Sequence, residues 1–352
     1  MSTAVIAAVL VLAACSASTT GTPDATPGTS VDAPGTTVAA ESEGCGSPAP
    51  VTPVGTEVDP TGGLKVTVAT PSGDRWWYQH VPTAYDGMTP WPLVVDFHGY
   101  AEGAAFHRQI SGMEALGERE HFITVSPQGQ GSPVHWDTRL DSIDLRFVGQ
   151  VLDTVEHTLC IDPRRVFVTG YSNGAFLSST IACEYADQVA AIAPVAGLRD
   201  IPGCQPTRPV PIIAFHGTDD QFVQYLGGMG PMAAKMQAPD GSGKTLGEVP
   251  SANGAIAPGS MDQAVPDILA AWAGRNGCAT TPSDSKVSDD TTEIAFSCPA
   301  GAEIQLLRTD GGGHAWPGSQ QSAALSAVTG KTTMTIDATQ LIWAFFQAHP
   351  LP

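Results

Sequence analysis

Basic residues are scarce in this chain: 16 Lys and Arg stand against 35 Asp and Glu, a formal net charge of −19. A surface of that sign repels a phosphate backbone, so nucleic acid is excluded as a partner. Long apolar runs are missing too. A spanning helix needs about 18 apolar residues in a row, and the longest candidate, residues 4–14, is too short. Neither CxxC nor HExxH occurs among the seven Cys and nine His, so no metal site and no cofactor is expected. Charged residues make up only 14% against 42% hydrophobic, which excludes a wholly disordered chain. The 352 residues leave ample material for a core.

The amino terminus supplies the first positive signal. An apolar stretch over residues 4–11 ends in Leu12-Ala13-Ala14-Cys15, an h-region followed by small residues, as in a secretory signal. Leu-Ala-Ala-Cys also has the form of a bacterial lipobox, in which cleavage leaves Cys15 as a lipidated first residue. The n-region, Met1-Ser2-Thr3, carries no Lys or Arg. Residues 1–15 are read as a signal peptide with lipobox. The protein is then exported, either anchored to the outer face of the cell membrane through Cys15 or secreted. Residues 16–44 are mainly Ser, Thr, Gly, Pro and Ala with a few acids, a composition that cannot bury a core. They are read as a disordered tether with roughly 30 Å of reach. The folded domain spans residues 45–352.

Six cysteines remain after Cys15, an even set that suggests up to three disulfides, with fifteen possible connectivities. Cys278 and Cys298 are the expected pair, because they flank a short polar segment whose closure restricts the unfolded chain.

Strand-like and helix-like segments alternate from residue 64 onward. Residues 64–70 and 75–81 read as an opening hairpin around Pro71-Ser72-Gly73-Asp74. PLVVDFH (92–98) and FITVS (122–126) are continuous apolar runs, as in strands buried on both faces. Residues 142–159 repeat apolar positions at three and four, a helix. Strands are expected at 165–169, 189–194, 210–215, 293–298 and 303–308, and helices at 175–185, 263–275 and 338–348. Such alternation predicts an α/β fold, a mostly parallel sheet with helices on both faces. No internal repeat is present.

Gly170-Tyr171-Ser172-Asn173-Gly174 follows the buried strand RVFVT and opens a helix. A nucleophile elbow needs that context, with small residues so that a tight turn exposes the serine oxygen. Ser172 is therefore the candidate nucleophile. A base and an orienting acid should follow in the order Ser, Asp, His. IIAFHGTDD places Asp219 and Asp220 just past a strand, and GGGHAWPG places His314 in a glycine-rich loop after another. Both loops sit where an open α/β sheet builds its site, outside the carboxyl ends of the strands. The expected oxyanion donors are the backbone N–H of Asn173 and, in His98-Gly99-Tyr100, that of Tyr100. His98 itself reads as loop support.

These segments also carry a family resemblance. RWWYQHVPTAY, PLVVDFHGY, CIDPRRVFVTGYSNGA, AAIAPVAG, PIIAFHGTDD and GGGHAWPG occur in the order seen in secreted polyhydroxybutyrate-depolymerase-like esterases. That group includes the feruloyl and acetylxylan esterases of carbohydrate esterase family 1. The resemblance covers nearly all of residues 45–352. It implies an α/β-hydrolase fold with nucleophile Ser172, acid Asp220 (the fifth residue of HGTxD) and base His314. Three departures fall where the acyl or leaving group is expected to bind: Val223-Gln224-Tyr225, Ile143–Phe147, and the long segment 226–260 with its Met229, Met232 and Met236. That segment is expected to wall or cover the acyl pocket. Trp136, Trp316 and Tyr225, with Tyr100, are candidates to stack on substrate.

The function expected is an exported serine carboxylesterase acting on feruloyl- or acetyl-type esters, polysaccharide-linked ones among them, or on small esters. A polyester depolymerase is the alternative within hydrolases. A non-catalytic binding lipoprotein on a hydrolase scaffold is the alternative outside them.

Overall fold

The computed structural model describes residues 42–46, 63–249 and 261–352. The signal and lipobox expected at 1–15, Cys15 included, lie outside the described residues, as does the tether except for its last three. Two of the three are packed: the Ser42 hydroxyl donates to the Leu159 carbonyl (2.7 Å) and accepts the Ile161 amide (2.8 Å). The Gly44 amide reaches Glu156 O at 3.0 Å. The ordered chain thus includes Ser42–Gly44, slightly ahead of the expected boundary. The reason is local. Ser42 satisfies two backbone groups at the end of one helix and the start of a strand, and Cys45 is bonded to Cys160 beside them.

In chain order the elements are β1 (Leu64–Thr70), β2 (Gly73–His80), β3 (Trp91–Phe97), α1 (Ala104–Ser111), α2 (Met113–Glu120) and β4 (Ile123–Pro127). Then come α3 (Ile143–Thr158), β5 (Ile161–Tyr171), α4 (Asn173–Glu184), β6 (Ala191–Val195) and β7 (Ile212–Gly217). The chain closes with α5 (Val265–Arg275), β8 (Ser283–Lys286), β9 (Thr291–Ala295), β10 (Ile304–Thr309), α6 (Gln320–Ala324), α7 (Ser326–Thr329) and α8 (Ala338–Ala348).

The sheet order is β1-β2-β4-β3-β5-β6-β7-β10-β9-β8. Every pairing from β4 through β10 is parallel, and the hairpins at the two edges are antiparallel. Period-two alternation builds both faces from the same strands. Leu93, Val95, Val166, Val168 and Ile192 join α3, α4 and α5 in one core. Val94, Phe167, Ala191, Ala193 and Phe215 join α1, α2 and α8 in the other. Covering both faces is what requires the continuous apolar runs.

Three disulfides link Cys45 to Cys160, Cys183 to Cys204 and Cys278 to Cys298, the last being the pair expected. One departure singled out above has a purely structural place. In α3 the buried Asp144 accepts from Arg75 Nη2 at 2.7 Å and from the Asp137 amide at 2.7 Å, and the Arg75 guanidinium lies 4.0 Å from the Phe147 ring. A buried Arg held by carboxylate and aromatic ring explains this sequence without any substrate.

Candidate active site

All of the loops that matter leave the carboxyl ends of parallel strands. β5 runs into Ser172, whose backbone turns to φ 55°, ψ −115°, a conformation rare for a residue with a Cβ. The Ser172 amide donates to Val195 O at 2.9 Å, and α4 starts at the next residue. The flanking glycines are forced by contact. A Cβ on Gly174 would sit 2.2 Å from the Phe97 carbonyl oxygen, and one on Gly170 2.6 Å from the Gly174 backbone.

Asn173 is the first helical residue, so its N–H has no partner within α4. Its side chain is a clamp: Oδ1 accepts the Trp136 amide (2.7 Å) and Nδ2 donates to the Trp136 carbonyl (3.1 Å). The Trp136 indole N–H in turn donates to His98 O at 2.9 Å. His98 Nε2 accepts the Gly129 amide (2.9 Å), which leaves the proton on Nδ1, facing Gly99 O at 2.7 Å. Burial lowers its pKa to about 4, so His98 is a neutral strut under the 98–100 loop.

β7 leads to Asp220 and β10 to His314. Asp220 Oδ2 lies 2.7 Å from His314 Nδ1, while Oδ1 accepts the Phe222 (2.8 Å) and Val223 (2.9 Å) amides. Burial pushes the Asp220 pKa up, but His314, His216 and the Phe222 amide outweigh it and hold it below the ordinary value. Asp219, the other carboxylate of the motif, is exposed. His314 is sandwiched between the Tyr171 ring (4.9 Å) and the Phe222 ring (4.8 Å), and the Tyr171 hydroxyl donates to its carbonyl at 2.6 Å.

Ser172 and His314 line one cavity of about 360 Å³. Most of the remaining wall is apolar, with Phe106 and Ile110 from α1, Leu325 and Val328 from the α6–α7 corner, Phe222 and Met236, while Glu102, Ser322 and Thr329 add polar groups. Tyr100 also lines it, as expected. Met236 is the contribution of the long segment, which packs on Phe176 through Ala238 and Leu246, with Met261 just beyond it in the same cluster; residues 250–260 lie outside the described residues.

Three expected pocket residues are corrected. Trp136 and Trp316 are fully buried and Tyr225 nearly so, and none lines this cavity. Each ring has another contact: Trp136 with His98, Trp316 with His107 and Tyr225 with His216. Large flat side chains contribute most when desolvated, and here core positions took them. Sequence reasoning missed Phe106 and Ile110, although their i, i+4 spacing just after the 98–100 loop was a usable signal. It also missed Glu102, His107 and Asp96. His107 is completely buried. Burial alone pushes its pKa down, but the Asp96 and Glu102 carboxylates outweigh that and raise it to about 10.

The His314 loop is held from outside by the segment after α7. Gly313 N donates to Lys331 O (2.8 Å) and Gly318 N to Thr333 O (2.9 Å). Asp290 anchors this segment, accepting from Lys331 Nζ (2.8 Å), Thr333 Oγ1 (2.9 Å) and Thr335 Oγ1 (2.6 Å). Burial opposes its ionisation, but these donors prevail and hold its pKa far below the ordinary carboxylate range. A depressed folded pKa stabilises the fold above the unfolded value, about 3.9, and that contribution is lost as pH falls toward the folded value. Asp290→Asn should therefore lower Tm at pH 7, and the gap to wild type should shrink steadily below about pH 4. Thermal melts at pH 7 and pH 3 check this; a gap that stays constant or widens on acidification refutes it.

A doubly covered, mostly parallel sheet carrying an elbow serine and a His–Asp pair beyond its strand ends defines an α/β-hydrolase. Such a set can supply a nucleophile, a base and an orienting acid. No family model matches the chain. It is 26% identical to feruloyl esterase B of Piromyces equi over 244 residues, which is 66% of this chain and 41% of that protein. It is 34% identical to poly(3-hydroxyalkanoate) depolymerase C of Paucimonas lemoignei over 137 residues, 36% of this chain and 32% of that one. The chain thus spans less than half the length of these curated relatives. Among solved structures, acetyl xylan esterase from Aspergillus awamori aligns with TM-score 0.48 and 17% identity over 71% of this chain and 94% of that one. These relatives are ester hydrolases of the kinds named in the sequence resemblance.

Proposed function

We propose that this protein is an exported serine carboxylesterase working through an acyl-enzyme. The observation that carries the reading is that His314, paired with the buried Asp220 at 2.7 Å, lines the same cavity as Ser172. Ser172 Oγ attacks the ester carbonyl while His314 Nε2 takes its proton, and Asp220 orients the ring and stabilises the imidazolium. The Tyr100 and Asn173 N–H groups receive the oxyanion. His314 then protonates the leaving alkoxide, giving the alcohol and the acyl-serine. Water, deprotonated by His314, attacks that ester, and the acid leaves as Ser172 regains its proton.

The cavity volume of about 360 Å³ lies within the roughly 300–1,000 Å³ of small-molecule sites. Its apolar walls suit an aromatic or short aliphatic acyl group, free or polysaccharide-linked. The 34% identical relative keeps a polyester depolymerase as the second reading. Three disulfides fit an extracellular protein; export and lipid attachment at Cys15 belong to the same proposal.

The test is a panel of a hydroxycinnamate ester, a short p-nitrophenyl ester, acetylated xylan and a polyhydroxybutyrate suspension. The soluble esters should be hydrolysed with kcat/KM of about 10⁴ M⁻¹s⁻¹ or more. No turnover of any ester sinks the reading, and turnover of the polymer alone transfers it to depolymerase.

A further inference from the structure

The loop beside Ser172 is pinned by side chains at almost every polar backbone atom. His98 O accepts the Trp136 indole N–H at 2.9 Å. Gly99 N donates to Glu102 Oε2 at 2.5 Å, and Gly99 O faces His98 Nδ1 at 2.7 Å. These atoms belong to two successive peptide planes. The fourth polar group of the two planes is the Tyr100 N–H, and among the described residues it has no acceptor. Tight contact brings this loop to the nucleophile: a Cβ on Gly99 would lie 3.4 Å from Ser172 Cβ and 3.1 Å from the Tyr171 ring.

Glu102 does not act on Gly99 alone. The same Oε2 lies 3.5 Å from His107 Nδ1, and His107 Nε2 lies 2.7 Å from Asp96 Oδ1. Asp96 Oδ2 accepts the Ser111 hydroxyl at 2.6 Å. With a carboxylate at each ring nitrogen, His107 carries both protons, in keeping with its raised pKa. Burying two carboxylates and an imidazolium is costly unless their geometry is well satisfied, yet Glu102 Oε1 and His107 Nδ1 are both enclosed with no hydrogen-bond partner, so that His107 holds Glu102 through charge at 3.5 Å. A simple core contact would not need this arrangement. A carboxylate near an oxyanion hole would also repel the developing negative charge, and the His107 cation offsets that.

We propose that Glu102, held by His107 against Asp96, is a positioning residue that fixes the Gly99 peptide and thereby aims the Tyr100 N–H at the oxyanion. The inference rests on the serine-esterase reading above. The two ways a charge can act here predict opposite signs. If Glu102 acted only through its field, removing the charge would help an oxyanion form. If it acts by positioning, removal slows the reaction.

The experiment compares Glu102→Ala and Glu102→Gln with wild type, measuring kcat, KM, Tm and the inhibition constant of an arylboronic acid, whose tetrahedral serine adduct probes the oxyanion site. Loss of a single oxyanion donor costs about 10²–10³ in kcat. Glu102→Ala should therefore lower kcat about 100-fold and weaken boronate binding by a similar factor, with KM within about threefold of wild type. Glu102→Gln keeps an acceptor for Gly99 N and should recover part of the loss, about tenfold below wild type. Should Glu102→Ala fail to fold, Glu102→Gln decides alone, its kcat loss with unchanged KM supporting the proposal. Variants with wild-type kcat, faster variants, or a loss confined to KM or Tm overturn it. An active wild type beside unaffected variants defeats this inference only, whereas a wild type inactive on every ester defeats the functional reading and this one with it.

Discussion

Ser172→Ala is expected to lower kcat by about 10⁶, because members of a nucleophile–base–acid unit act together and loss of the nucleophile removes the whole unit. The residual rate would be that of a cavity which binds ester and presents two N–H donors without a nucleophile. The fold should survive. The backbone features that shape the turn do not use the hydroxyl: the Ser172 amide still reaches Val195 O, and Gly170 and Gly174 still permit the close approach. Alanine pays the same conformational cost at φ 55° as serine, so Tm should stay within about 3 °C of wild type, a shift worth no more than about 2 kcal/mol in a domain of this size. The measurement is turnover of a p-nitrophenyl ester, with covalent labelling by a fluorophosphonate as a second readout. Labelling should vanish along with turnover. A rate within tenfold of wild type, or labelling that persists, removes Ser172 from the mechanism and places the nucleophile on another residue.

The sequence was most readable where burial leaves few choices. Runs such as PLVVDF and RVFVT can only be strands covered on both sides, and they are β3 and the core of β5. The elbow was equally plain, since the two glycines that flank its serine between strand and helix are forced by contacts under 3 Å. Elements escaped notice where the pattern signal is weak. β8 reads SDSK and is wholly exposed, so a polar edge strand looks like a loop. α6 and α7 are only 5 and 4 residues long and rich in Ser and Ala, too short for periodicity to show. α1 hides its pattern differently, burying His107, Arg108 and Ser111 alongside Ile110. Those missed helices supply much of the cavity wall, so the pocket was less legible than the reactive groups. The expectation that tryptophans line it failed because stacking on substrate and packing in the core use the same flat surface. Core packing took Trp136 and Trp316 here.

Asp220→Asn is expected to lower kcat by about 10⁴, while Asp219→Asn should change it by less than about threefold. The two neighbours differ in everything but sequence position. Asp219 is exposed and engaged through its backbone, the amide donating to Gly312 O at 2.8 Å and the carbonyl accepting from Gln221 Nε2 at 3.0 Å. Asp220 is buried with both oxygens engaged. Its Oδ1 accepts two amides, from Phe222 and Val223, and an NH₂ group cannot take that place because donors would face donors. An asparagine here must therefore keep its oxygen on the amides and turn its NH₂ toward His314 Nδ1. That nitrogen becomes the acceptor, the ring proton moves to Nε2, and His314 can no longer take the proton of Ser172. The variant would keep its shape and substrate affinity, so KM should hold while kcat falls. The charge lost with Asp220 also leaves the imidazolium of the transition state without its counter-ion in a buried site. Steady-state kinetics of the two variants against one soluble ester separate the roles. Greater sensitivity at Asp219 would move the acid by one residue, and a wild-type kcat in Asp220→Asn would mean that His314 is oriented by something else.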